Sequence, residues 1–442
     1  MPLLAAITVY SACAVQPVPA PPLTPTPSPA PAGARPVGDA TAPAAKLDWK
    51  ALEAPLLTNH VQITARDRFL KAGEAYFDHS TPPQWVIFQA VAVPVAGEKE
   101  DPFYAMYVAK LVRDGRGRIT GTDEPVRISP PGSANTCGWF DPKNLSRVIY
   151  GSTRTPPAKD QKSGFQVGSR KYVWMFPDEM EIVEQSVFAI GGGAGGSNHD
   201  RGPAKSGSTP DPLFTRPNYD AECSFTRDGR FVLYSHVRDE PSRGRPDADI
   251  FVYDTTQKTH TPLVVADGYD GGPFFSPDDK WICYRSDRRG DDLLQLYIAE
   301  LDWKDGAPVG IRRELQLTDD SAVNWAPFWH PSGKFLVYGS SAVDPTRHSN
   351  YEIFAVEVDP AKPSANLRQR RVTFGNGADV LPVFSDDGKL MMWTAQRGPI
   401  VGDEPKPSSQ VWVAEVNGEG GFARPGALFE NLPDQRPEQA GK

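Results

Sequence analysis

Side chains of one chemical kind recur at one place in a repeated pattern: Asn135, Asp220, Asp270, Asn324 and Asp379 each stand just ahead of a short apolar strand. Ala72 holds the equivalent place in the first unit, and two positions further on Glu74 and Glu222 add carboxylates. Such residues, ringing one mouth of a channel, could bind a cation (calcium is the metal suited to them) or the basic part of a peptide. The same residue types also hydrogen-bond local backbone and fix the turn that enters a strand. A catalytic reading takes Asp220, Asp270 and Glu222 as candidate carboxylates of a hydrolase or lyase acting on peptide or polysaccharide. That chemistry needs two carboxylates with separated pKa values, a few ångströms apart.

Other chemical signatures are missing. The sequence holds no Gly-x-Ser-x-Gly, HExxH or paired CxxC. The run Gly191-Gly192-Gly193-Ala194-Gly195-Gly196 lacks the Gly-Lys-Ser/Thr of a phosphate loop and reads as a surface insertion. Seven histidines are scattered, with His79 and His330 in or beside turns that satisfy them. Cys137, Cys223 and Cys283 lie in strand patterns without metal spacing and read as buried free thiols. Trp139, Trp325 and Trp329 fall in or next to the same apolar strands, where they pack between sheets or floor a ligand site. No residue is assigned a catalytic role and no cofactor is required. A net charge of -8 disfavours nucleic acid as a partner.

The elements that must position these residues form a repeat. One unit is Phe274-Phe275-Ser276-Pro277-Asp278-Asp279-Lys280-Trp281-Ile282-Cys283-Tyr284, and others run through Phe328-Trp329-His330-Pro331-Ser332-Gly333-Lys334 and Val383-Phe384-Ser385-Asp386-Asp387-Gly388-Lys389. In each, an apolar strand meets a Pro/Asp/Gly turn and returns as a β-branched, aromatic strand. Tyr234, Tyr284, Tyr338 and Trp393 mark the returning strand roughly every 50 residues, the length of one propeller blade. Six units follow, at about 74–130, 135–215, 219–266, 269–318, 324–374 and 379–416. The last has no fourth strand of its own, and residues 55–58 (Pro55-Leu56-Leu57-Thr58) are left to supply it. The predicted fold is all-β: a six-bladed β-propeller of four-stranded antiparallel blades over 47–416, closed by an N-terminal strand.

The ends read differently. Residues 1–13 contain a short apolar run ending in Tyr10-Ser11-Ala12-Cys13, which resembles a lipobox with Cys13 as the lipidated residue; a plain secretory signal and a cytosolic N-terminus are the alternatives. Residues 14–46 are Pro/Ala-rich and form an extended tether, and 417–442 are expected to be a disordered tail. The expectation is a monomer of the periplasm or cell envelope, touching membrane only through that anchor.

The Phe-Ser-Pro-Asp motif (Phe275 to Asp278), its counterpart from Phe384 to Lys389, and the lead-ins Tyr219-Asp220 and Tyr269-Asp270 resemble the WD40-like PD40 repeats of TolB-like six-bladed propellers. The resemblance covers about Ala54 to Val416. It implies a cell-envelope scaffold that engages a protein or peptide partner at the channel mouth. The stretch before the propeller leaves no room for the N-terminal α/β domain of that family. Nor does a catalytic domain of the prolyl oligopeptidase type follow the last blade.

Overall fold

The computed structural model describes residues 48–158, 164–166, 171–173, 176–187, 209–239, 241, 246–343, 350–418, 421–422, 424 and 428–429. The signal-like segment with Cys13, the tether and the Gly191–Gly196 run lie outside them.

Six antiparallel sheets make six blades. Their first strands, innermost in the ring, are Phe69–Phe77, Asn135–Phe140, Asp220–Phe225, Asp270–Phe275, Asn324–Trp329 and Asp379–Phe384. Each pairs with the returning strand after it, which pairs in turn with a third. Fourth strands complete blades one to five. Blade six takes its fourth strand from the other end of the chain: Leu57–Gln62 pairs antiparallel with Gln410–Val416, Leu57 opposite Val416 and Gln62 opposite Trp412. The six-bladed all-β ring and its N-terminal closure are as the repeat predicted. The closing strand begins two residues later than expected and runs on to Gln62.

The apolar cores lie between neighbouring sheets. Phe231, Leu233 and Ile250 of blade three pack with Ile282, Tyr284 and Tyr297 of blade four. Cys283, Leu296 and Ile298 of blade four pack with Trp329, Leu336 and Tyr338 of blade five. Burying both faces is why these strands are apolar throughout rather than alternating. Burial of Leu56 and Leu57 in the last core favours closure by about 2 kcal/mol each.

The tail expectation needs correction. Phe422, Leu428 and Phe429 are buried against blades five and six, with Phe422 stacked on Phe335 at 5.5 Å. Arg370 and Arg368 donate to the carbonyls of Leu428 and Phe429. Three large side chains spread through a Gly/Pro-rich segment carry no periodicity, yet they suffice to dock it.

The ring has two unlike rims. On the turn rim, short turns join first to second strands, and a Ser or Thr hydroxyl donates to an Asp two residues on: Thr226–Asp228, Ser276–Asp278 and Ser385–Asp387, each at 2.7 Å. On the opposite, linker rim the chain passes between blades, and longer connections (93–104, 396–409, and one between Ser152 and Glu181 that holds the paired strands Gly164–Gln166 and Lys171–Val173) join second to third strands.

Candidate functional site

The Asp/Asn column does not ring the channel. Asp220, Asp270, Asn324 and Asp379 have no exposed surface and Asn135 almost none. Each side chain turns into its own blade and meets the end of the returning strand. Asp220 lies 2.9 Å from His236 Nδ1, Asp270 accepts from Arg288 at 2.8 Å, and Asp379 accepts from Arg397 Nε at 2.9 Å. Asn135 and Asn324 accept from Ser152 and Ser340, both at 2.7 Å. The column therefore fixes blades two to six at the linker rim. Asp220, Asp270 and Glu222 do not form one acid/base pair, because the aspartates sit in separate buried pairs.

The channel is lined instead by the residues two places on. Glu74, Cys137, Glu222, Gly272, Ala326 and Leu381 all have positive φ, between 44° and 60°. Each sits where the register between first and second strands slips. These are six β-bulges, one per blade, and every one turns its residue towards the axis. Left-handed backbone costs a non-glycine residue about 1 kcal/mol, so the bulges persist because the converging strands over-determine them. Gly272 has a further duty. A Cβ there would run into the Arg285 guanidinium, which fills the place that blade four leaves empty.

One bulge residue is fully satisfied. The Glu222 carboxylate accepts from Tyr269 OH (2.6 and 2.8 Å), Ser235 Oγ (3.1 Å), the Gly272 N–H (2.5 Å) and Arg285 (3.3 Å). Arg285 also donates to Tyr269 OH at 2.7 Å. Glu74 accepts only from neutral groups: Cys137 Sγ at 2.8 Å, Thr136 Oγ1 at 3.2 Å and Tyr76 OH at 3.5 Å. Burial, with the neighbouring Glu222 charge adding to it, pushes the Glu74 carboxyl up. Burial likewise holds the Cys137 thiol well above its ordinary value, so it is a poor nucleophile. The three cysteines Cys137, Cys223 and Cys283 are buried and free.

Two places deeper, aromatic rings close the channel. Tyr76 and Phe274, from blades that face each other across the axis, are 5.9 Å apart, and Trp139 and Phe328 are 6.2 Å apart. Trp139 thus belongs to a floor, whereas Trp329 packs between blades and donates to the Phe274 carbonyl at 3.2 Å. The space between bulges and floor is small, with a cavity volume of about 20 Å³. Its wall is polar on blades one to four and apolar on blades five and six, where Ala326, Phe328, Leu381, Pro382 and Val383 face it. His79 and His330 are turn residues, held by Asp386 and Ser332.

Among the described residues no group of three or more His, Cys, Asp or Glu is placed to hold a metal ion. No helix among them is long and apolar enough to cross a membrane.

With this geometry in view, similarity to known proteins is specific. TolB of Helicobacter pylori, a Tol-Pal system protein, is 28% identical over 170 residues, covering 38% of this chain and 35% of TolB. Over those 170 residues the propeller sequence is similar to that of TolB. An uncharacterized protein of Agrobacterium fabrum, Atu1656, is 27% identical over 165 residues, covering 36% of this chain and 50% of that one. The chain thus matches half or less of the length of these relatives. The crystal structure of TolB from Acinetobacter baumannii superposes with a TM-score of 0.42 at 14% identity, covering 72% of this chain and 60% of TolB. No family model matches the chain.

Among the sequence-derived site residues, the structure brings only Glu74 and Glu222 to the channel. Arg285, Cys137 and the apolar wall went unrecognised. The paired Gly271-Gly272, where other units carry a side chain, was the available signal that something else fills that place.

Proposed function

We propose that this protein is a non-enzymatic binding scaffold of the cell envelope that holds a protein or peptide partner at the linker-rim mouth of its channel. The observation that carries this is the blind funnel. Opposed aromatic rings about 6 Å apart leave no passage through the ring, so a partner enters from one side and stops. The space inside is too small for a sugar ring, which weighs against turnover of polysaccharide in the channel. Similarity to a Tol-Pal system protein supports a protein partner in the envelope. In this reading Cys13 carries a lipid, residues 14–46 tether the monomeric propeller to the membrane, and the aspartate column serves stability rather than calcium.

Photo-crosslinking tests the mouth. A photoreactive residue in place of Val380, half-buried beside the bulge ring, should yield a discrete adduct in intact cells, and one in place of Arg227 on the turn rim should not. Adducts from Arg227 alone would overturn the assignment. Labelling with a palmitate analogue, lost in Cys13→Ser, tests the anchor.

A further inference from the structure

Glu74 and Glu222 occupy equivalent bulges with different hydrogen-bond donors. Glu222 accepts from a guanidinium as well as from neutral groups, whereas the hydrogen bonds to Glu74 come from neutral groups and Arg285 acts on it only through its charge. Arg285 is already engaged with Glu222 and Tyr269. Two carboxylates against one guanidinium leave the cavity one positive charge short when both are ionised. Across from Glu74 the wall is aliphatic and aromatic, with Leu381, Pro382 and Phe328. The free space, about 20 Å³, admits a head group about the size of a water molecule, and the site is open on one side.

We infer that this cavity binds a single primary ammonium group, with Glu74 as its counter-ion and the alkyl stem lying on Leu381, Pro382 and Phe328. An –NH₃⁺ head is the size of a water molecule and carries the missing charge. Its methylene stem suits the apolar wall. A guanidinium or a choline head is too large for the space, and a carboxylate or phosphate would meet Glu74 and Glu222. The inference rests on the scaffold reading and names the group its partner presents: a lysine side chain or a free amino terminus.

Binding should also be coupled to a proton. Facing Glu74 are Cys137, Thr136, Tyr76, Glu222 and Arg285, with Tyr219 and Tyr269 behind. In this surrounding the empty site holds the Glu74 proton more tightly than an exposed carboxyl does, and an arriving ammonium expels it. Affinity therefore rises with pH.

Calorimetric titration of the full chain tests this with Nα-acetyl-lysine amide (side-chain amine), glycinamide (terminal amine) and Nα-acetyl-norleucine amide (the uncharged counterpart). At least one amine should bind, and the norleucine compound should not. The amine that binds identifies which source the site takes. Binding should strengthen as pH rises above about 5, while the amine is still charged, and release a proton to the buffer. Glu74→Gln should weaken it at least about tenfold, the scale of one lost charge pair. Val383→Ile, which fills the space and leaves Glu74 untouched, should weaken it as well. Equal binding of the norleucine compound, indifference to both variants, or no binding of either amine to folded wild type would overturn the inference. Persistent crosslinking at Val380 alongside any of these results would leave the scaffold reading standing. Amine binding without any crosslink would do the reverse.

Discussion

The two rims of the ring treat their carboxylates in opposite ways. On the turn rim, hydrogen bonds from the tight turns and exposed cations stabilise the charged form. Asp278, Asp254 and Asp386 lie below the usual carboxylate range, and Glu357, bonded by Arg368 and Lys362, is held down at about 2. On the linker rim, strand starts are buried, and desolvation outweighs the partners. Asp249 and Asp270 are raised to about 6, Glu181 to about 7 and Glu352 to about 8. Asp78 and Asp279 on the turn rim, both raised by burial, and Glu53 on the linker rim, lowered by Arg397 and His60, run against this pattern. The turn rim is thus mainly a set of local circuits, joined between blades at contacts such as His79 with Asp386 and Arg227 with Asp279. The linker rim is a buried ionic frame that holds blades, closing strand and channel in one arrangement.

The sharpest way to break this contrast is at the ring closure. Arg397 is buried between Glu53, which precedes the closing strand, and Asp379 of blade six, donating to the carboxylates at 2.6 and 2.5 Å. Arg397→Ala takes the guanidinium from two buried carboxylates and should cost about 4 kcal/mol, read from the midpoint of urea unfolding. The channel offers a second break. Glu222→Gln removes the charge partner of buried Arg285 and should cost about 3 kcal/mol, whereas Glu74→Gln, which disturbs no ion pair, should cost less than about 1 kcal/mol. Equal losses in these two variants would erase the difference between the bulges.

The rims should also part company with pH. A carboxyl whose folded pKa is raised binds its proton more tightly when folded. The contribution of Glu352 is therefore complete below about pH 4.5 and lost as pH rises through about 8. Glu357 is the reverse: its contribution is present above about pH 4.5 and lost as pH falls through about 2. Chemical unfolding from about pH 5 to about pH 9 should show declining stability that Glu352→Gln flattens and Glu357→Gln does not. A small effect belongs to a single turn. Ser276 donates to Asp278 and accepts from the Trp281 N–H, and Ser276→Ala should cost about 1 kcal/mol, measured as a lower thermal midpoint.

Much of the fold was legible because its causes are local. Pro and Gly turns, β-branched strands and a repeating aromatic are visible residue by residue, and the unpaired Leu56-Leu57 betrays the closure. The site was less legible for a specific reason. Counting along a strand assumes alternation, and a bulge inserts one residue that reverses it. The aspartate column therefore turned inward to its blade, and Glu74, two places on, turned to the axis. Arg285 was hidden by a second non-local fact, since it reaches the channel only through space that Gly272 vacates.

Blade number, blade order and the N-terminal closing strand were determined by the sequence alone, since turn chemistry and strand propensity act over a few residues. Which polar side chains face the channel was decided only by the tertiary structure. There six strands converge on an axis, and the cost of burying each carboxylate depends on neighbours contributed by other blades.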